Sequence, residues 1–206
     1  MPDWNDIFSE QGKFFTEPHS EMERIMNIFR GNKVKKILDL GCGTGRHLIF
    51  FSKNGFEMYG FDASPKALSI ANQWLAEEKM KAELKLHRME EEFPYEDNFF
   101  DAIISIKVIH HNKRKDVLRT VGEIGRVLKR GGLIFITFPK LSEAWVNNGN
   151  LKEVEKGTYI PQKGKEKGLL HHFFTLEEIQ KVFRFFDLKE VYDDGENHRS
   201  ILGIKH

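Results

Sequence analysis

The feature that most limits what this chain can become is the run Ile37-Leu38-Asp39-Leu40-Gly41-Cys42-Gly43-Thr44-Gly45-Arg46, where a short apolar stretch enters three alternating glycines. Ile37 to Leu40 reads as a buried strand, and a helix is expected after Gly45. Glycines between a strand and a helix allow positive φ angles and let a ligand approach the backbone with no Cβ in the way. The helix that follows offers unpaired amides and the positive end of its dipole. A dinucleotide fingerprint spaces its glycines G-x-G-x-x-G; here the spacing is G-x-G-x-G, with Asp39 two residues ahead of Gly41. A carboxylate there sits poorly with a pyrophosphate. It suits a ligand bearing an ammonium or sulfonium charge, or it hydrogen-bonds loop amides.

The rest of the chain supplies a frame for that loop. Met22, Ile25, Met26 and Phe29 recur at helical spacing until Gly31. Phe56 to Phe61 is a second strand ending at Asp62, where a carboxylate can accept hydrogen bonds from both hydroxyls of a ribose or cap the next helix. Ser64-Pro65 starts a helix expected to run to about Lys79. Strands are expected near Glu83 to His87 and Asp101 to Ile106, the latter apolar enough to be buried on both faces. Val117, Leu118, Val121, Ile124 and Leu128 mark a helix that Gly131-Gly132 ends before the strand Leu133 to Phe138. Such alternation predicts a mostly parallel sheet with helices on both sides. Lys140 to about Leu170 is too long for a routine connection and reads as an insertion. Thr175 and Glu178 then form a capping-box pattern for a helix carrying Leu176, Ile179, Val182, Phe183 and Phe186. Strands near Leu188 to Tyr192 and Ser200 to Ile204 bring the sheet to seven, with an antiparallel edge.

At 206 residues and 40% hydrophobic content the chain fits one globular domain, residues 1–206, with a helical segment at 1–31. Thirty-two basic against 31 acidic residues leave +1, so no overall field draws it to nucleic acid or an anionic membrane. Cys42 is the only cysteine, which excludes an internal disulfide and any multi-cysteine metal site. With no signal-like N-terminus and no apolar stretch approaching the roughly 20 residues of a membrane span, a cytoplasmic setting is expected. Trp4, Phe8, Phe14 and Phe15 are more aromatic than a disordered tail, so the opening segment is expected to pack on the domain.

The run ILDLGCGTGRHL resembles the first motif of the class I methyltransferase family, and GFDAS resembles the second. Phe93-Pro94-Tyr95-Glu96-Asp97-Asn98-Phe99-Phe100-Asp101, Val108-Ile109-His110-His111 and Glu123 to Gly132 are similar to its later signatures, from about Lys36 to Phe138 in all. The resemblance implies a Rossmann-like three-layer α/β sandwich. It also implies S-adenosylmethionine as cofactor and S-adenosylhomocysteine as product. Gly41, Cys42, Gly43 and Gly45 would border the methionine and sugar portions, with Asp39 nearby and Asp62 on the ribose. Ala63 would lie beside the adenine and Ile106 at the end of the fourth strand. Many family members have an acidic residue facing the adenine amino group; counting back from Phe93-Pro94 gives Met89, followed by Glu90.

Methyl transfer from a sulfonium is an in-line displacement, so positioning dominates and a base serves only acceptors that must lose a proton. His110 and His111 follow the fourth strand at the rim where open parallel sheets bind ligands, and His172, beside His171, ends the insertion. Each is a candidate base, or packs against the loop. Two adjacent pairs 60 positions apart define no coordination geometry, so no metal is expected. Trp145, Tyr159 and Ile160, with Lys163, Lys165 and Lys167, would make the insertion a cover over a small anionic acceptor, or simply a solvated loop. The leading reading is therefore a small-molecule methyltransferase, with oligomeric state left open. Ile106 to His111 also resembles enzymes that methylate wobble uridines of transfer RNA, which at this net charge would need a partner subunit. A non-catalytic protein that binds the adenosyl ligand is the third reading.

Overall fold

A computed structural model of the chain describes residues 4–13, 15–141, 150–195 and 197–206. Phe14 and Trp145 lie outside the described residues. Two helices, α1 (Trp4–Gln11) and α2 (Met22–Gly31), precede β1 (Lys36–Leu40), α3 (Arg46–Lys53), β2 (Glu57–Asp62), α4 (Pro65–Glu77) and β3 (Ala82–Leu86). The alternation continues through β4 (Phe100–Ile106), α5 (Arg114–Val127) and β5 (Leu128–Pro139). A small sheet of β6 (Leu151–Glu155), β7 (Thr158–Pro161) and β8 (His171–His172) follows, then α6 (Leu176–Val182), β9 (Phe186–Asp193) and β10 (His198–Lys205).

The main sheet has seven strands in the order β3-β2-β1-β4-β5-β10-β9. Neighbours from β3 to β5 are parallel, and β10 runs antiparallel to both β5 and β9. The reversed strand is thus one place in from the edge strand β9. Strand order changes direction between β1 and β4, which opens a crevice at their C-terminal ends.

Residues that alternate along β1 feed two separate cores, as the two-residue period of a strand requires. Leu38 and Leu40 join Ile103, Ile134, Ile124 and Phe183 under α5 and α6. Ile37 joins Ala102, Ile104, Phe135, Ile25, Phe29 and Phe51 under α2 and α3. Helix, sheet and helix form three layers.

Ser64 Oγ accepts from the Ala67 amide at 3.0 Å and Thr175 Oγ1 from the Glu178 amide at 3.1 Å, while the Glu178 side chain, expected to complete a capping box, accepts from Arg114 Nε at 2.8 Å instead. Three boundaries differ from the sequence expectation. Leu128 belongs to β5, and Gly131-Gly132, expected to stop a helix, lies inside that strand, where Gly131 has φ 73 and the register shifts between Phe100 and Ala102. Phe183 is the C-cap of α6 and Phe186 belongs to β9, so the helix is shorter than its apolar periodicity, and Leu176 within it is exposed. Apolar spacing marks what is buried, and Phe183 and Phe186 are buried whether or not the helix reaches them. The insertion, for its part, is an antiparallel sheet in its described portion. It is tied down by the His172 amide, which donates to the His110 carbonyl at 2.8 Å.

Candidate active site

The parallel register of β1 and β2 sets Leu40 opposite Phe61, and the chain then turns over the end of β2. The amides of Gly41 and Cys42 both donate to the Phe61 carbonyl, at 3.0 Å each. Asp62 completes the turn from the other side, with Oδ2 accepting from the Gly43 amide at 2.9 Å and Oδ1 from the Ser64 amide at 2.8 Å. One carboxylate therefore holds the glycine loop and the start of α4 together, and each oxygen keeps a second lone pair. Burial pushes the Asp62 carboxyl up, opposed by the amides of Ser64, Gly43 and Ala63. Gly41 cannot be replaced without movement: at φ 70, a Cβ would lie 2.3 Å from Val108 Cγ1.

Asp39 sits one layer behind this loop. Its side chain is buried, Oδ2 has no hydrogen-bond partner, and the nearest cationic candidate is His47 Nδ1 at 4.0 Å. Burial pushes its carboxyl up to about 7, against the pull of Arg46. His47 is held well below the usual imidazole range, first by burial.

A cavity of about 640 Å³ opens where the strand order reverses. Gly41, Cys42, Gly43, Asp62 and Ala63 form one wall, continued by Met89, Glu90 and Ile106. His110 and His111 line it as well. Three predicted site residues do not reach the surface of the cavity: Asp39, Gly45 and His172. Gly45 is the left-handed residue that caps α3, and His172 is fully buried with Nδ1 2.7 Å from Thr158 Oγ1 and Nε2 3.2 Å from Glu178 Oε1. Its neighbour His171 takes the place in the cavity instead.

The histidines that the sequence shows as two separate pairs are one cluster in the fold. Ring centroids lie 4.0 Å apart for His110 and His111, 4.6 Å for His111 and His171, and 5.6 Å for His110 and His171. Burial, then the neighbouring imidazoles, holds His110 well below its ordinary range. Burial and His171 bring His111 down to about 4, although Glu166 and the Leu170 carbonyl favour its charged form. Both shifts favour the neutral ring.

The N-terminal segment closes the side of the cavity. Ile7 and Phe8 are buried, while Trp4, Asn5, Phe8 and Phe15 line the space. Trp4 meets the His111 ring edge-on at 4.9 Å, and Asn5 Oδ1 accepts from Ser64 Oγ at 3.0 Å and the Lys66 amide at 3.1 Å. Sequence reasoning missed Asn5, Lys107, Lys140 and Glu166, all in the cavity wall. Asn5 lies in α1 and the other three in connecting segments, and no local pattern sets any of them apart. The lysines it did single out, Lys163, Lys165 and Lys167, are exposed, and neither they nor Tyr159 and Ile160 line the cavity.

Residues 37–132 match the family model described as a methyltransferase domain. The match spans just under half of the chain, which over these residues is similar to methyltransferase domains. The chain is 31% identical over 163 residues to the uncharacterized protein MJ1252 of Methanocaldococcus jannaschii, covering 76% of this chain and 58% of that one. It is 31% identical over 135 residues to the probable tRNA methyltransferase 9B of Mus musculus, covering 64% of this chain and 28% of the relative. It therefore spans well under two thirds of either. A solved S-adenosylmethionine-dependent methyltransferase from Methanosarcina mazei superposes with a TM-score of 0.75 at 18% identity, over 92% of this chain and 98% of that one, a likeness of fold. Among the described residues no helix is long and apolar enough to cross a membrane.

Proposed function

We propose that the chain transfers the methyl group of S-adenosylmethionine to a small-molecule acceptor held against the histidine cluster. The observation that carries this reading is the single cavity lined by the glycine loop and Asp62 together with His110, His111 and His171. On this reading Gly41, Cys42 and Gly43 lie along the methionine and sugar portions and Asp62 takes the ribose hydroxyls on its remaining lone pairs. Ala63, Met89 and Ile106 flank the adenine, and Glu90 meets its polar edge. Asp39 and Gly45 act from behind, one through its charge and one by shaping the turn.

The domain needs little covalent chemistry. The methyl–sulfur bond breaks as the acceptor bond forms, and the protein supplies alignment in a space closed by α1 and the insertion. His110 and His111 are neutral imidazoles able to accept a hydrogen bond from the acceptor's X–H group. With its conjugate acid near 4, His111 is a weak base that orients more than it deprotonates. His172 supports the cluster through the backbone link to His110. Glu166, Leu169 and His171 line the same cavity beside the cluster. The single cysteine, Cys42, supports a cytoplasmic setting.

Transfer RNA is the second reading, favoured by the likeness to the mouse relative and by Arg46, Arg88, Lys107 and Lys140 around the cavity. Calorimetric titration with S-adenosylhomocysteine, with NAD as control, tests the cofactor half. Saturable binding of the adenosyl ligand alone is expected, and none from folded protein would overturn the assignment. Methyl acceptance by a fractionated metabolite pool supports the first reading. Acceptance by total transfer RNA alone replaces it with the second.

A further inference from the structure

The geometry points to a divalent metal site, of the kind zinc(II) occupies, formed by His110, His111 and His171 on the acceptor side of the cavity. One ring nitrogen from each of these residues lies within 4.8 Å of the other two. Zinc–nitrogen bonds of about 2.0–2.1 Å in a tetrahedron set ligand nitrogens about 3.3 Å apart. Modest ring rotations close that difference.

Three features fit a metal better than a packed aromatic core. First, His110 is buried and its Nδ1 has no hydrogen-bond partner. A buried polar atom left unsatisfied costs about 1–3 kcal/mol, which a coordinate bond would remove. Second, the supports behind the rings are those that orient metal-binding imidazoles. His111 Nδ1 lies 3.0 Å from the Leu170 carbonyl, which can only accept, so the hydrogen is on Nδ1 and the Nε2 lone pair is left for a ligand. His171 Nδ1 lies 3.2 Å from the Leu169 carbonyl, which can only accept, and Nε2 lies 2.7 Å from Glu166 Oε2, so Nε2 is the nitrogen turned to the ion and the carboxylate is an oxygen donor beside it. Third, the backbone holds the cluster together. The amide of His172 donates to the carbonyl of His110 at 2.8 Å, so the segment after β4 and the end of the insertion cannot drift apart.

Three imidazoles with a nearby carboxylate suit zinc and its first-row neighbours, and magnesium or calcium poorly. What the ion would do deepens the proposed function and rests on it. An acceptor X–H group coordinated there loses its proton to solvent. The X lone pair then forms the bond to the methyl carbon as the carbon–sulfur bond breaks, and the sulfonium becomes a neutral thioether.

The test uses untagged full-length chain, stripped with chelator and titrated with cobalt(II) and zinc(II). One ion per chain is expected, with cobalt giving the intense visible bands of a low-symmetry four-coordinate site and zinc displacing it. His111→Ala and His171→Ala should each weaken zinc binding at least about tenfold, Glu166→Gln should weaken it about 10–100-fold, and His206→Ala should change nothing. Zinc X-ray absorption on the unmutated chain makes the result independent of variant folding, with three imidazoles expected around the ion. Absence of stoichiometric binding, equal binding by both alanine variants, or fewer than two imidazoles would each overturn the site. S-adenosylhomocysteine titrations on the same samples separate the ideas. Adenosyl binding without metal sinks only the metal site, and metal without adenosyl binding sinks only the cofactor reading.

Discussion

The glycine-loop wall and the histidine wall line one cavity but are assembled differently. The cofactor-side wall from Gly41 to Ala63 comes from a strand, a turn, a helix and a strand in immediate succession, pinned by amides onto Phe61 and Asp62. The histidine wall joins the segment after β4 to the insertion some 60 residues later, and α1 from the far end of the chain packs against His111. Local chain geometry shapes the first wall; tertiary docking shapes the second. Damage to the first should therefore appear as lost cofactor binding, and damage to the second as lost turnover.

The largest effect is expected at Gly41. Gly41→Ala puts a methyl group 2.3 Å from Val108 Cγ1 at a φ that L residues avoid. Overpacking of about 1–3 kcal/mol and backbone strain of about the same size add there. S-adenosylhomocysteine affinity should fall about a hundredfold or more, with a lowered melting temperature, and calorimetry checks both. An unchanged affinity would mean the loop moves freely and does not form the wall.

Asp62→Ala comes next. It removes the acceptor of one buried and one half-buried amide and the proposed ribose contact, each charge-assisted bond being worth about 1.5–3 kcal/mol. Affinity should fall about 30-fold or more while the far-ultraviolet circular dichroism is retained. Asp62→Asn, which keeps an acceptor oxygen, should recover part of it. His111→Ala probes the other wall. S-adenosylhomocysteine affinity should stay within about twofold while kcat on the true acceptor drops about tenfold, short of the 100-fold and more that a full general base supplies. Equal loss of both quantities would erase the distinction between the walls.

The same contrast decides what could be read from the sequence. Gly41 to Gly45, Asp62, Ala63, Met89 and Glu90 stand in or beside contiguous motifs, and strand alternation already places them at one sheet edge. His110 and His111 were legible as residues at a strand end, but their meeting with His171 was not, because a β-ladder over β7 and β8 and one amide bond bring it there. For His171 against His172 the choice turns on which way a two-residue strand presents successive side chains. Alternation sends one into the cavity and the other toward Thr158, and the sequence shows only that the two differ. Element ends at Leu128 and Phe186 failed for a related reason, since both residues are buried in either conformation.

Beneath the first wall, Asp39 gives a pH-dependent expectation. Its folded carboxyl holds a proton up to about 7, whereas in the unfolded chain it ionises near the ordinary value of 3.8. Between those values the native state binds more protons, so stability is fully present at the acid end and falls as pH rises toward about 7. One such group contributes at most about 1.4 kcal/mol per pH unit. Asp39→Asn should flatten denaturation midpoints measured from about pH 5 to 7.5 and stabilise the protein at neutral pH by about 1–3 kcal/mol. A variant whose profile keeps the original slope would assign the titration to another group.

The smallest effect is expected where the two walls are stitched together. Asn5 Oδ1 accepts from Ser64 Oγ and from the Lys66 amide, so one side chain of α1 grips the start of α4 beside Asp62 while Trp4, one residue away, packs on His111. Asn5→Ala leaves the Ser64 cap on Ala67 intact, and the Lys66 amide lies in the first turn of α4, where water can replace the lost acceptor. The cost should therefore be about 1 kcal/mol, expressed in how long α1 stays closed rather than in the fold. S-adenosylhomocysteine should leave about fivefold faster in stopped-flow displacement, with little change in melting temperature. A faster off-rate together with a fall in kcat would show that α1 couples the walls, and an off-rate effect alone would assign it to the cofactor side.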